Sequence, residues 1–176
     1  YHALYGDNEL LPAVRSDSER TGGHPVVRAH MQTPEGRNFS NEAVRRHVLP
    51  AYMGLIKQVD DELGRLFAWM RESGRWDDTL IVFTSDHGDF LGDHWLGEKE
   101  MLYDCSVRTP MIVRDPNPAA DGTRGITSQA LVESIDLIPT FLDTFGAFED
   151  LEHQLEGESL RPLLHGEREE TFRDAV

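Results

Sequence analysis

At 176 residues and 20.0 kDa the chain has room for one ordinary domain, and 39% hydrophobic with 28% charged residues excludes collagen-like, low-complexity and wholly disordered classes. Seventeen basic against 32 acidic side chains leave a net charge of −15, a field that repels nucleic acid and anionic lipid. The longest apolar run, Thr79–Thr84, falls far short of the roughly 18 to 20 residues that cross a bilayer, so neither a nucleic-acid nor a membrane partner is expected.

A small anionic substrate stays acceptable, because a lysine and a metal ion inside a cleft outweigh distant carboxylates screened over about 8 Å. The single cysteine, Cys105, can form no internal disulfide and favours a reducing, cytoplasmic setting. Tyr1 is not an initiator methionine, and Tyr1–Gly6 has no signal-peptide pattern. Phe172–Val176 reads as the opening of a further element, so the chain is treated as a piece of a longer polypeptide.

Residues 6–40 are rich in Gly, Pro, Asp, Ser and Arg without sustained period and predict an irregular surface segment with one short helix. From Asn41 to Ser73, Val44, Val48, Leu55, Val59, Leu66 and Met70 step by 4, 7, 4, 7 and 4, with Tyr52, Ile56, Leu63 and Phe67 alongside, the stripe of an amphipathic helix facing a core. Ser40 is the expected N-cap and Gly74 the left-handed terminator, while Pro50 predicts a kink or a break.

A turn at Trp76–Asp78 leads into Thr79–Thr84, a continuous β-branched and aromatic run that predicts a strand buried on both faces, as in a parallel sheet flanked by helices. Pro110–Arg114 predicts a second strand, stopped by Asp115-Pro116-Asn117-Pro118. Ser134–Phe145 has helical spacing at Ile135, Ile138, Leu142 and Phe145, ends at Gly146, and holds Pro139 as a bend or first-turn residue. Leu160, Leu163 and Leu164 suggest a short helix or turn within Gly157–Gly166. Helix followed by strand gives an α/β fold.

Chemistry concentrates just after the first strand. Ser85–His94 holds three aspartates and two histidines in ten residues, at the strand end where open α/β sheets bind ligands. Asp86 offers hard oxygens and His87 an imidazole nitrogen, a set suited to a divalent cation, and Gly88 lets the backbone turn at once. The same residues also suit a plain polar strand-to-loop turn. Lys99, twelve positions beyond His87, can set a compact positive charge against a phosphate or sulfate oxygen, or sit solvated on the surface.

Thr84-Ser85-Asp86-His87-Gly88, Leu91-Gly92-Asp93-His94, Lys99, Arg108–Val113 and Asp136-Leu137-Ile138-Pro139-Thr140 together resemble the C-terminal half of the catalytic domain of sulfatases in the alkaline phosphatase superfamily. The closer likeness is to the branch of phosphonate monoester hydrolases and arylsulfatases, carried also by Tyr1–Tyr5, Leu91–Leu96, Tyr52–Ile56, Val59–Leu66 and Ile112–Pro116. It runs from Tyr1 to about Gly166.

The resemblance implies an alkaline phosphatase-like α/β fold, mainly a parallel sheet flanked by helices, with the chain as the C-terminal portion of one catalytic domain. It implies hydrolysis of sulfate or phosphonate/phosphate esters, a small anionic ester as substrate, and room for a homo-oligomer. It implies Asp86 and His87 as ligands of one divalent metal ion, Ca2+ or Mn2+/Zn2+, and Lys99 as the catalytic and substrate-binding contact to the sulfuryl or phosphoryl group. The family's nucleophile is a formylglycine made in a Cys/Ser-x-Pro/Ala-x-Arg motif. None occurs here, since Cys105 is followed by Ser106-Val107-Arg108, so nucleophile and remaining ligands are expected upstream and these residues alone are expected to be inactive.

Three alternatives stand beside this. A Ser85-Asp86-His87 triad fails, because neighbours on an extended chain face opposite ways and no Gly-x-Ser-x-Gly elbow exists. A two-metal phosphatase or phosphodiesterase would add Asp93 and His94, which otherwise act as loop or supporting residues. A scaffold would keep the fold without the nucleophile. His2, His24, His30, His47, His153 and His165 are expected in ordinary roles. Trp69, Trp76 and Trp95 are expected in packing, with Trp95 near enough to Lys99 to line a substrate mouth.

Overall fold

The computed structural model describes residues 1–6, 10–147, 155–168 and 173. In chain order the elements are α1 (Asp17–Gly22), α2 (Pro25–His30), α3 (Glu42–Glu72), β1 (Ile81–Thr84), α4 (Asp104–Val107), β2 (Met111–Arg114), α5 (Leu137–Phe145) and α6 (Arg161–Leu164). Short 3₁₀ segments occur at Asp93–Trp95, Pro118–Thr123 and Ser134–Asp136. β1 and β2 pair in a two-stranded sheet. Among the described residues, no helix is long and apolar enough to cross a membrane.

The chain forms two compact units, Tyr1–Ser73 with Phe83–Met111, and Gly74–Val82 with Ile112–Val176. In the first, α3 runs unbroken through Pro50, which is buried, so the expected break does not occur. Its N-cap is Asn41, whose Oδ1 accepts the Ala43 N–H at 2.9 Å, in place of the expected Ser40. The Ser40 hydroxyl donates instead to Arg37 O at 2.8 Å. Gly74 does take the left-handed conformation, at φ 74°.

The predicted core stripe of α3 is the main departure. Of the stripe, Met70 is buried as expected, but Val44, Tyr52, Leu55, Ile56, Val59 and Leu66 are exposed, and the other buried residues of α3 are Arg45, Leu49, Pro50 and Gly54. Periodicity identifies an apolar face, but burial needs a covering surface, and these residues supply one mainly along the helix N-terminal half and again at Met70. In the N-terminal half Tyr1 crosses at Gly54, where a Cβ would meet the Tyr1 carbonyl oxygen at 2.5 Å. Residues 10–40 form two short helices where one was expected, each started by local chemistry. Ser16 and Glu19 make a capping box for α1, and Pro25 occupies the first turn of α2.

β1 is half-buried with Phe83 exposed, so the expected burial on both faces is not reached with one neighbouring strand. In the second unit, Arg114 of β2 lies 4.4 Å from the Trp76 ring and donates to Thr79 O at 3.4 Å. Pro139 falls in the first turn of α5, and Gly146 closes the helix at φ 67°, both as predicted.

This unit is held by buried polar links. Asp136, fully buried, accepts the backbone N–H of Glu133 at 2.7 Å and of Glu158 at 2.9 Å, and pairs with Arg173 at 2.5 Å. The Thr140 hydroxyl donates to Asp136 O and accepts the Leu160 N–H at 2.8 Å, tying α5 to the approach to α6. His165 Nε2 meets Asp115 Oδ2 at 2.9 Å with both side chains buried. His153 lies outside the described residues, as do Phe172 and 174–176 of the expected terminal element.

Candidate functional site

Asp86, His87 and Lys99 all belong to the first unit. β1 ends at Thr84, and the chain turns through Ser85–Gly88. The Ser85 hydroxyl donates to His87 O at 2.8 Å, closing the turn. Asp86 is 84% exposed on its side chain, and its Oδ1 accepts the His87 backbone N–H at 3.0 Å. That N–H and the nearby His87 ring hold the carboxyl below its usual range, so the group is ionised near neutrality.

His87 Nδ1 lies 2.7 Å from Gly88 O. A carbonyl only accepts, so Nδ1 carries the proton and the lone pair of the neutral ring sits on Nε2. Nε2 stands 3.5 Å from Asp86 Oδ2. An anionic oxygen and the unprotonated ring nitrogen therefore lie side by side, with the far ring nitrogen fixed by a carbonyl, the usual support for a metal-bound histidine. The donor set fits one divalent cation. Among the described residues no cluster of three or more His, Cys, Asp or Glu side chains could complete its shell.

Gly88 permits the next contact. Its N–H donates to Ser106 O at 2.7 Å, and a Cβ on Gly88 would overlap the Cys105 carbonyl oxygen and stand 3.0 Å from its carbon. The Ser106 hydroxyl in turn donates to Lys99 O at 2.8 Å. Lys99 is exposed. Burial raises the carboxyl pKa of Asp89 and outweighs the Leu91 N–H, which lowers it.

Beyond the turn, residues 90–98 fold into a tight loop. Phe90 N–H bonds Glu98 O and Gly92 N–H bonds Leu96 O, both at 2.9 Å, and the buried side chains of Phe90 and Leu96 anchor it. Leu91, His94, Trp95 and Glu98 all adopt positive φ, between 46° and 64°, a conformation that costs side-chain-bearing residues about 1 kcal/mol or more each. Arg45 helps hold the loop from α3, donating to Leu91 O at 3.1 Å and Leu11 O at 2.7 Å.

Asp93 and His94 point elsewhere. Asp93 Oδ1 accepts the Val14 N–H at 2.8 Å, and His94 Nδ1 meets Glu19 Oε1 at 2.7 Å. Trp95, expected near a substrate mouth, donates to Ser16 O and lies under the guanidinium of Arg15 at 4.1 Å. It lines two open clefts of about 610 and 620 Å³, neither of which includes Asp86, His87 or Lys99. Sequence reasoning missed Arg45 and Ser106 as supports. A charged residue beside the apolar stripe was a signal for Arg45; nothing local marked Ser106.

The sulfatase family profile matches residues 5–147. The multifunctional alkaline phosphatase superfamily protein PehA of Trinickia caryophylli is 34% identical, covering 93% of this chain and 34% of its own length. An arylsulfatase of Clostridium perfringens is 34% identical over 100% of this chain and 36% of its own. Among solved structures, the phosphonate monoester hydrolase of Silicibacter pomeroyi superposes with a TM-score of 0.80 at 33% identity, covering 97% of this chain and 35% of that one. That of Agrobacterium radiobacter gives 0.82 at 28% identity over the same shares. The chain spans about a third of the length of these relatives. It shares the alkaline phosphatase-like fold of the two hydrolases, and it belongs to the sulfatase family.

Proposed function

We propose that the protein is a metal-dependent hydrolase of sulfate or phosphonate esters, in which Asp86 and His87 hold one divalent cation and Lys99 faces the ester oxyanion. The observation that carries this reading is the His87 hydrogen bond to Gly88 O, which frees Nε2 beside the ionised Asp86 carboxylate. One oxygen and one nitrogen donor suit manganese or zinc better than calcium, which prefers all-oxygen shells. When bound, the cation would polarise the ester oxygens and lower the charge building on them.

Asp86 neutralises cationic charge, and His87 is locked in the tautomer that can ligate. Lys99 brings an ammonium group to non-bridging and leaving oxygens, stabilising charge that grows during ester cleavage. The nucleophile, by resemblance a formylglycine, comes from outside these 176 residues, as do the remaining metal ligands. Asp93 and His94 are committed to Val14 and Glu19, which supports one cation over two.

The test uses the full-length enzyme with an aryl sulfate, a phosphonate monoester and a phosphodiester, before and after chelation, with Lys99→Ala alongside. Sulfate or phosphonate turnover should vanish on chelation and return with metal. Lys99→Ala should lower kcat by about 10²- to 10³-fold, the scale of losing one oxyanion contact. Turnover indifferent to chelation refutes the metal role, and no turnover of any ester leaves the scaffold alternative.

A further inference from the structure

We infer that Ser106 is a positioning residue that fixes Lys99 relative to the Asp86–His87 turn, an inference that rests on the function proposed above. Ser106 is 3% exposed and uses its polar atoms on two separate loops. Its carbonyl oxygen accepts the Gly88 N–H at 2.7 Å, and its hydroxyl donates to Lys99 O at 2.8 Å. Its own N–H is fixed by Tyr103 O at 2.8 Å, so α4 holds the bridge from behind.

Lys99 itself is exposed. Its placement depends on the backbone. The Lys99 N–H donates to the exposed carboxylate of Glu100, while its carbonyl is bound by the buried Ser106 hydroxyl. The neighbouring Glu98 carbonyl is held by Phe90 N–H. Removing the hydroxyl frees the 99–100 peptide to rotate, and the ammonium group at the end of four methylenes magnifies that rotation. A misplacement of about 1 Å is enough to cost up to about 10²-fold in rate. The link to Gly88 runs through the Ser106 backbone and survives loss of the side chain.

The experiment is a kinetic double-mutant cycle on the full-length, metal-loaded enzyme: wild type, Ser106→Ala, Lys99→Ala and the double variant. Ser106→Cys, similar in volume but a weak donor, separates the hydrogen bond from packing. Affinity for Mn2+ reports the integrity of the turn. Ser106→Ala and Ser106→Cys should each lower kcat about tenfold, with KM and Mn2+ affinity within twofold of wild type. In the Lys99→Ala background, Ser106→Ala should have no further effect. Losses that multiply across both backgrounds, a neutral Ser106→Ala, or an unaffected Ser106→Cys overturn the inference and leave the role of Lys99 standing. A neutral Lys99→Ala removes the role of Lys99 itself and the inference with it.

Discussion

Gly88→Ala is the most informative single substitution, because Gly88 joins the turn bearing Asp86 and His87 to α4. A methyl group at this position overlaps the Cys105 carbonyl oxygen, a backbone atom that no rotamer change can move aside. Relief requires the turn and α4 to separate by about 1 Å, breaking the Gly88–Ser106 hydrogen bond of 2.7 Å. Losing that bond costs about 1 kcal/mol and the overpacking about 1 to 3 kcal/mol, so stability should fall by about 2 to 4 kcal/mol. His87, one residue away, loses its alignment with Asp86, and Mn2+ affinity should fall about 10- to 100-fold. Urea denaturation and calorimetric titration of the full-length protein measure both. Gly64→Ala is the control. Gly64 lies within α3 with open space around its Cβ position, so alanine there should stabilise by about 0.5 to 1 kcal/mol. A Gly88→Ala protein within about 0.5 kcal/mol of wild type and with unchanged metal affinity would refute the reasoning.

Asp136→Ala strips partners from two backbone N–H groups and from Arg173 at a fully buried site, and should cost about 3 to 5 kcal/mol in urea denaturation; a loss below about 1 kcal/mol would contradict the network. Glu19→Gln tests a pH dependence. Burial works against ionisation of Glu19, but hydrogen bonds from His94 and Ser16 outweigh it and hold its carboxyl below the ordinary 4.5. A depressed carboxyl contributes stability above its unfolded value and loses it as pH falls through the folded one. Glu19→Gln should therefore cost about 1 kcal/mol at pH 7, shrinking towards zero in strong acid. A cost equal at pH 7 and pH 3 would refute the assignment.

The parts of the fold visible in the sequence are those governed by local rules. α3, the two strands, the Pro139 first turn and the Gly74 and Gly146 terminators follow from periodicity, β-branching and backbone freedom. The burial of the α3 stripe was not legible, because a hydrophobic period states which face is apolar and not whether its cover lies within these residues. The positive-φ loop at 91–98 escaped because only Gly92 announces it; Leu91, His94, Trp95 and Glu98 are held there by hydrogen bonds and by anchors at Phe90 and Leu96.

The site divides in the same way. Asp86, His87 and Gly88 are adjacent, and their order offered the carboxylate, imidazole and permissive backbone position on which the proposed cation site rests. Asp93 and His94 show the limit of that reading, since adjacency offered them as further ligands and long-range partners at Val14 and Glu19 claimed them. Ser106 bonds to Gly88 and Lys99 across sequence separations of 18 and 7 residues, and no local pattern reports such bonds.

Anomalous diffraction from crystals of the full-length protein grown with Mn2+ tests the central claim most directly. The account predicts one strong peak per chain, bonded to an Asp86 carboxylate oxygen and to His87 Nε2, with His87 Nδ1 still on Gly88 O. A cation bound away from these two side chains, or one ligated through His87 Nδ1, would contradict it.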